Sequence, residues 1–529
     1  MSEIEQLSQA LRAAKVTRRE FIQRSTALGL TLALAETLSG NILQAATPKR
    51  GGFARLGFAS GATTDTMDPG TWPGSFAQNL FGGSVCNRLT HVQPNGDITT
   101  DLAESVEPSN GAKTWVVKLR KGLTFHDGKP VTSKDVYESM WFHANPQSKS
   151  AAKSLLADVD SIKIDGDDTV IFTLRSGNLD FPYGLADYHM VILPAKEGGG
   201  VRFGVGTGPF VLEKFDPGVS AKLKRFANYH KTGMPYFDEV EYVNIPDATA
   251  RANALTSGEI HYMDHVPFNT VSLLARNHDI AIADVPSYEY VMFCMKIGMK
   301  PFDDPNVRLA LKYAIDREEI VKKIYYGHGT PGNDNPIAPS VKYAIQPQPK
   351  HLYDVEKAKF YLKKAGLSTL HVDLSVADQV FEGCVDAGLL YKEQARKAGI
   401  DINVIREPNN GYYANVWNVK PFTATEWFGR PTIDGALSLE FDSKAAWNDT
   451  DWRNPKFDGM LREARASFDT AKRAALYAEM QQMLHDQSGA LIIAFGNYVS
   501  AYSKKLAHGP LSGVLPDDNF GVSEHWWFV

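Results

Sequence analysis

Between residues 114 and 120 the side chains alternate strictly. Trp115, Val117 and Leu119 form an apolar set between Val116, Lys118 and Arg120, the period of a half-buried strand. Glycine-bearing turns follow at Lys121-Gly122 and Asp127-Gly128. Thr132 or Ser133 is then placed to cap a helix opening at Lys134-Asp135-Val136. A period of 3.6 takes over elsewhere. Val307, Ala310, Leu311, Ala314 and Ile315 predict a helix over 307–324, and 357–364 reads the same way. A longer helix is expected over 460–485, with Leu461, Ala464, Phe468, Leu476, Met480 and Met483 on its core face. A further helix is expected over 80–89. The apolar run 290–299 (YVMFCMKIGM) is short enough for a buried strand. Strands and helices mixed in this way predict an α/β protein.

A chain of 529 residues exceeds what one core supports, so two or three domains are expected. No apolar run approaches the ~20 residues of a membrane span. The formal charge is −5, and five basic and four acidic side chains lie in residues 1–46, leaving −6 on the rest. Such mild acidity offers nucleic acid no electrostatic footprint. The three cysteines, Cys86, Cys294 and Cys384, form no CxxC pair and allow at most one disulfide; three buried thiols are expected.

Enzyme motifs find little purchase. Ser150-Ala-Ala-Lys153, Lys231-Thr232-Gly233 and Tyr242-Val243-Asn244 are the fragments of a serine acyl-enzyme, but the middle motif of such enzymes precedes KTG and here it follows. His126-Asp127 sits on a turn, where adjacent residues rarely face each other. No GxSxG, P-loop or Rossmann fingerprint is present, and the histidines lack metal-ligand spacing. No cofactor is required. An exported serine hydrolase acting on peptides or cell-wall fragments, using Ser150, is the alternative function.

Several segments, in order, resemble one family. They are LRKG (119–122), FHDG (125–128), KDV (134–136), Gly206-Thr207-Gly208-Pro209-Phe210 with Asp216-Pro217-Gly218, RANALTSGEI (251–260), PFDDPNVRLALKYAIDREE (301–319), 354–366 and Asn454-Pro455 with Phe457-Asp458. Together they resemble the extracytoplasmic solute-binding proteins of ABC importers, family 5, over 51–529. His261 stands where that family usually has Asp. The resemblance implies a two-lobed periplasmic-binding-protein fold (type II, cluster C) with an additional inserted domain. Lobe I would comprise 47–85, 200–288 and 499–529, the inserted domain 86–199, and lobe II 289–498, with chain crossings near Tyr288 and Tyr498. It further implies a monomeric receptor that hands a peptide-like or carboxylate-bearing small solute to ABC permease subunits in the inner membrane.

The N-terminus agrees with a periplasmic destination. Thr17-Arg18-Arg19-Glu20-Phe21-Ile22-Gln23 resembles the twin-arginine export motif, followed by an apolar segment at 27–35 and small residues near Ala45-Ala46. Residues 1–46 are expected to be a signal peptide for the twin-arginine export machinery. No cysteine precedes Cys86, so no lipoprotein anchor is expected.

Candidate ligand contacts come from two loops. TWPGSFAQN (71–79) matches a family loop that lines the cleft, making Trp72, Phe76 and Asn79 candidates; Trp72, beside Pro73 and Gly74, is expected to face the cleft, and Phe76 serves core packing equally well. TEWFGRPTID (425–434) adds Trp427, Arg430 and Asp434. Peptide-binding members show W-x-x-D here, the aspartate holding the ligand's α-ammonium; this chain has Arg430 instead. A desolvated guanidinium prefers a carboxylate or phosphate, which predicts an anionic or carboxylate-headed solute. The competing reading pairs Arg430 with Asp434, Glu426 or Asp442.

Overall fold

The computed structural model describes Arg24 and residues 48–529 apart from Pro73. Apart from Arg24, the expected signal peptide, with its paired arginines, lies outside the described residues.

One eleven-stranded sheet runs through the molecule. Its order is Ile400–Arg406, Leu370–Val376, Phe422–Trp427, Ile280–Met295, Ala490–Ser503, Tyr262–Met263, Phe53–Phe58, Glu239–Asn244, Ser220–Arg225 and Phe210–Asp216, with Gly329–Pro331 added on Ala490–Ser503. The two longest strands, of 16 and 14 residues, pair antiparallel at its centre. Their pairing is interrupted between Pro286 and Tyr290, where the chain passes from one half of the sheet to the other. A separate antiparallel sheet, Ala103–Ser109, Thr114–Leu119, Thr169–Leu174 and Val159–Asp165, lies within 86–199. Its core gathers Trp115, Val117, Phe172 and Met140. Phe58, Leu80 and Tyr242 belong to a second core, and Phe293, Leu374 and Tyr391 to a third. Each large apolar side chain so buried contributes about 1.5–3 kcal/mol. The fold is mixed α/β and two-lobed.

Local signals explain the strands and helices that matter. The alternating segment forms Thr114–Leu119, its even and odd faces half-buried and buried in turn. Thr132 caps the helix Ser133–Ala144 in a capping box with Asp135, each satisfying a backbone N–H that the first turn leaves free.

Three helical expectations need correction. The 307–324 segment is two helices, Pro305–Tyr313 and Arg317–Lys323, because Asp316 stops to cap the second by accepting from the Glu319 N–H. Asp469 does the same to the expected 460–485 helix, which becomes Pro455–Ala466 and Thr470–Gln487; Phe468, in the break, is 59% exposed instead of in the core. Over 80–89 the chain forms a π-helix, Gln78–Val85, which starts earlier and ends sooner. A Cβ on Gly83 would collide with the Phe520 carbonyl, so this glycine permits a close approach of the C-terminal segment.

The three cysteines are free and buried. Burial pushes the Cys86 and Cys384 thiols up to about 12, so both stay protonated and unreactive. Among the described residues, no helix is long and apolar enough to cross a membrane, and no group of three His, Cys, Asp or Glu side chains is placed to hold a metal.

Candidate ligand-binding cleft

Two adjoining cavities open where the halves of the sheet meet. The larger, about 340 Å³, takes Ser75, Asp264, Val285 and Asp517 from one side and Glu289, Glu382, Glu426 and Phe428 from the other. The smaller, about 170 Å³, is lined by Asp180 and Asp187 from the inserted segment, Arg430 and Asp434, and Val514 and Asn519. Gly429 stands between them. A Cβ there would strike the Tyr288 backbone, so the chain hugs the first crossing strand. Phe428 consequently lines the larger cavity and Arg430 the smaller one.

The C-terminal segment forms the other partition. Asp517, Asp518, Asn519 and Phe520 all have φ between 55° and 61°, a left-handed turn of four non-glycine residues. Left-handed backbone costs roughly 1–2 kcal/mol per L-residue, less for Asp and Asn, and such strain clusters at functional sites. Side-chain bonds hold the turn in place. Asp517 accepts from the Tyr262 hydroxyl at 2.6 Å and from Asn79 Nδ2 at 2.8 Å. Asp518 accepts from the Ser512 N–H at 2.9 Å and from Trp526 Nε1 at 3.1 Å, while Asn519 Nδ2 donates to the Val92 carbonyl at 3.1 Å. Burial, and the neighbouring Asp264, push Asp517 up to about 7.

The six residues expected to line one cleft are distributed differently. Trp72 is 2% exposed rather than facing the cleft: its indole stacks on Phe81 and His189, and Nε1 donates to the Thr66 carbonyl at 3.2 Å. A ring of that size gains most by full burial against the inserted segment. Phe76 packs edge-on against Phe58 and Tyr242 in the core. Asn79 is buried and acts on the cleft from behind, holding Asp517 and the Ser75 carbonyl. Trp427 is buried beside Trp417 and Trp447, donating to Asp449 at 3.3 Å. Both Asp434 oxygens accept from Arg465 Nε, at 3.0 and 3.1 Å, and burial still pushes the carboxyl up to about 6. Arg430 reaches a cavity without a direct partner, its charge acting at longer range on Asp187, whose carboxyl it helps His189 hold below the usual range against the effect of burial. It makes no hydrogen bond or ion pair among the described residues, so the expected pairing with Asp434, Glu426 or Asp442 is absent.

Glu289, Glu382 and Asp517 escaped sequence reading, and Glu426 entered it only as a partner for Arg430. The signal available was a glutamate inside each of two otherwise apolar strands, Tyr288-Glu289-Tyr290 and Thr425-Glu426-Trp427.

The acyl-enzyme fragments do not assemble. Ser150 Oγ shares a hydrogen bond with His143 Nδ1 at 2.6 Å, Lys153 Nζ donates to the Pro146 carbonyl, and Lys231 pairs with Asp101 and Glu524.

This architecture is that of a binding protein whose lobes enclose a solute. The chain matches the model of the bacterial extracellular solute-binding proteins, family 5 (Middle), over residues 97–449, and it belongs to that family. It is 28% identical over 501 residues to the glutathione-binding protein GsiB of Pectobacterium atrosepticum, covering 88% of this chain and 93% of that one. Its fold is similar to that of the periplasmic binding protein AgaA of A. tumefaciens R10, solved with agropinic acid (TM-score 0.74, 25% identity, 90% and 99% of the two chains). It is also similar to DppA of Helicobacter pylori, solved with the peptide STSA (TM-score 0.75, 21% identity, 90% and 98%). The chain is a periplasmic solute-binding protein of an ABC transporter.

Proposed function

We propose that this receptor captures a carboxylate-bearing, peptide-like solute between its lobes, with the carboxylate on Arg430, and delivers it to ABC permease subunits. One observation carries the choice. Of the four charged side chains lining the smaller cavity, three are already engaged: Asp180 by Arg473, Asp187 by His189 and Asp434 by Arg465. Arg430 makes no ion pair within 4.0 Å and acts on Asp187 only at longer range, so its hydrogen-bond donors are left for a group from outside the chain. A planar guanidinium binds carboxylate through two parallel hydrogen bonds, and closure of the lobes strengthens them by excluding water. Glutathione, for which one similar protein is named, and agropinic acid, with which another was solved, both bear carboxylates. Export by the twin-arginine route, cleavage of residues 1–46 and a monomeric state complete the reading, together with lobes divided as 47–85, 200–288 and 499–529 against 289–498.

The test is calorimetric titration of the solute that co-purifies from the periplasm. Arg430→Gln is expected to weaken binding at least about tenfold, the worth of one charge-assisted hydrogen bond, without changing the melting temperature of the unliganded protein. Unchanged affinity refutes the assignment.

A further inference from the structure

The larger cavity leaves the opposite charge unmatched. Glu289 and Glu426 extend from neighbouring antiparallel strands, in which Val291 lies opposite Glu426. Glu289, two residues from Val291, therefore shares a face with Glu426 as its diagonal neighbour. The two carboxyl groups line the same cavity, act on each other's charge, and make no hydrogen bond to any other described residue. No basic side chain stands within 4.0 Å of either among the described residues. Glu382, the third carboxyl on this wall, accepts only from the Phe268 N–H at 3.0 Å. The other acids here are engaged: Asp264 with Arg251, Asp517 with Tyr262 and Asn79, Asp518 with Trp526.

Two independent features show what the pair awaits. Tyr498 lines the same cavity, and its hydroxyl oxygen, beside Ser287, is out of contact with solvent and makes no hydrogen bond of ordinary geometry. The intervening wall is aromatic, with Phe268, Tyr325, Phe381 and Trp526, and with Phe428 more than half exposed toward the opening. Ring faces attract organic cations and tolerate their apolar stems, whereas they offer nothing to an anion.

We infer that the larger cavity is a subsite for an organic cation, a protonated amine or guanidinium, seated between the Glu289 and Glu426 carboxylates and the aromatic wall. The inference rests on the carboxylate reading of the smaller cavity and extends it. The two cavities adjoin along 428–430 and 514–519, so the solute is a zwitterion with its charges at opposite ends: carboxylate on Arg430, cation on the glutamate pair.

Proton linkage follows from the same geometry. Burial raises both glutamates, and their mutual repulsion raises Glu426 further, so the empty pair holds a proton that an arriving cation displaces. The groups facing the pair are His265, Glu382, Cys384, Tyr325, Tyr413, Tyr498 and Asp517. Affinity for the cation is expected to rise with pH as the shared proton is shed.

The experiment is a thermal-shift and calorimetric comparison of charge-matched probes. 4-Guanidinobutyrate and 6-aminohexanoate are set against 4-ureidobutyrate, hexanoate and adipate, at pH 5.5 and pH 8. At least one cationic probe is expected to bind about tenfold or more tighter than its uncharged match, and more tightly at pH 8. Which cationic probe wins separates ammonium from guanidinium. Glu289→Gln/Glu426→Gln should erase the preference, and the single Glu426→Gln variant serves if the double variant does not fold. Arg430→Gln should weaken cationic and neutral carboxylates alike. The inference is overturned if no cationic probe binds, if neutral or dianionic probes bind as well, or if the glutamine variants keep the preference. Loss of hexanoate or adipate binding in Arg430→Gln, with the glutamine variants unaffected, would leave the carboxylate reading standing and remove only the cation subsite. Probe binding indifferent to all three substitutions overturns both.

Discussion

Replacing Asp334 by asparagine removes the charge at the centre of the lobe that carries Arg430. Asp334 is fully buried. Its Oδ1 accepts from Arg317 Nη2 at 2.7 Å and from the Ile492 N–H at 3.0 Å, and its Oδ2 from His351 Nδ1 at 2.6 Å. It thereby ties the helix Arg317–Lys323 to the strand Ala490–Ser503 that crosses beneath the cleft. Burial alone would raise this carboxyl, but Arg317, Lys312 and His351 hold it well below the usual carboxylate range. Asparagine keeps the shape and leaves two buried cations without a counter-charge. Burial already pushes the Lys312 amine down to about 8, so it escapes by losing its proton. Arg317 cannot, and keeps only uncharged acceptors, the carbonyls of Ile492, Lys312 and His351 and the asparagine amide oxygen. Breaking a buried pair in this way costs about 3–5 kcal/mol, and the surviving carbonyl bonds favour the lower end. At roughly 2–4 °C per kcal/mol for a domain of this size, the melting temperature falls by about 6–12 °C. Urea unfolding at pH 7 should show a lower midpoint with an unchanged slope. Because the folded carboxyl titrates below its unfolded value of about 3.9, its contribution is complete above that pH and lost as pH falls further. The difference between wild type and variant should therefore shrink in acid, and also narrow toward pH 8, where Lys312 is losing its proton in the wild type as well. A loss under about 1 kcal/mol at pH 7 would refute the reasoning.

Three further outcomes are expected. Gly83→Ala drives a methyl into the Phe520 carbonyl and should cost about 1–3 kcal/mol while weakening solute binding, read by calorimetry; wild-type affinity would mean that the left-handed turn does not shape the cleft. Burial holds His91 at about 3 and His143 and His351 at about 4, so the unfolded chain binds more protons between these values and about 6.5. Stability should fall as pH drops through that window, whereas His525, raised to about 9 by Asp518 and Glu524 against the effect of burial, contributes stability that is lost as pH rises through 9; melting curves from pH 4 to 10 check both signs. A thiol reagent should find no reactive cysteine in the native protein and three after denaturation, since all three are buried.

Local chemistry explains how much of this was readable in the chain. The strand Thr114–Leu119 and the capped helix Ser133–Ala144 rest on neighbours a few residues apart, and their patterns declared them. Periodicity failed at Asp316 and Asp469, where an aspartate side chain competes for backbone N–H groups and restarts a helix inside an unbroken apolar rhythm. Trp72 was misjudged because flanking proline and glycine mark a loop and say nothing of what packs over it; His189 does, from another part of the chain. Arg430 was legible as an oddity of charge within a motif. Its isolation was not, because Asp434 is taken by Arg465, which a sequence separation of 31 residues conceals. Glu289 and Glu426 meet only through the pairing of two distant strands, so their partnership belongs to the fold.

The most direct measurement is native mass spectrometry of the protein purified from the periplasm, with the bound species released and identified. The account predicts a single compound bearing both a carboxylate and a protonated amine or guanidinium, retained by wild type and lost from Arg430→Gln and from Glu289→Gln/Glu426→Gln. A bound compound without a carboxylate, or one retained equally by these variants, would contradict it.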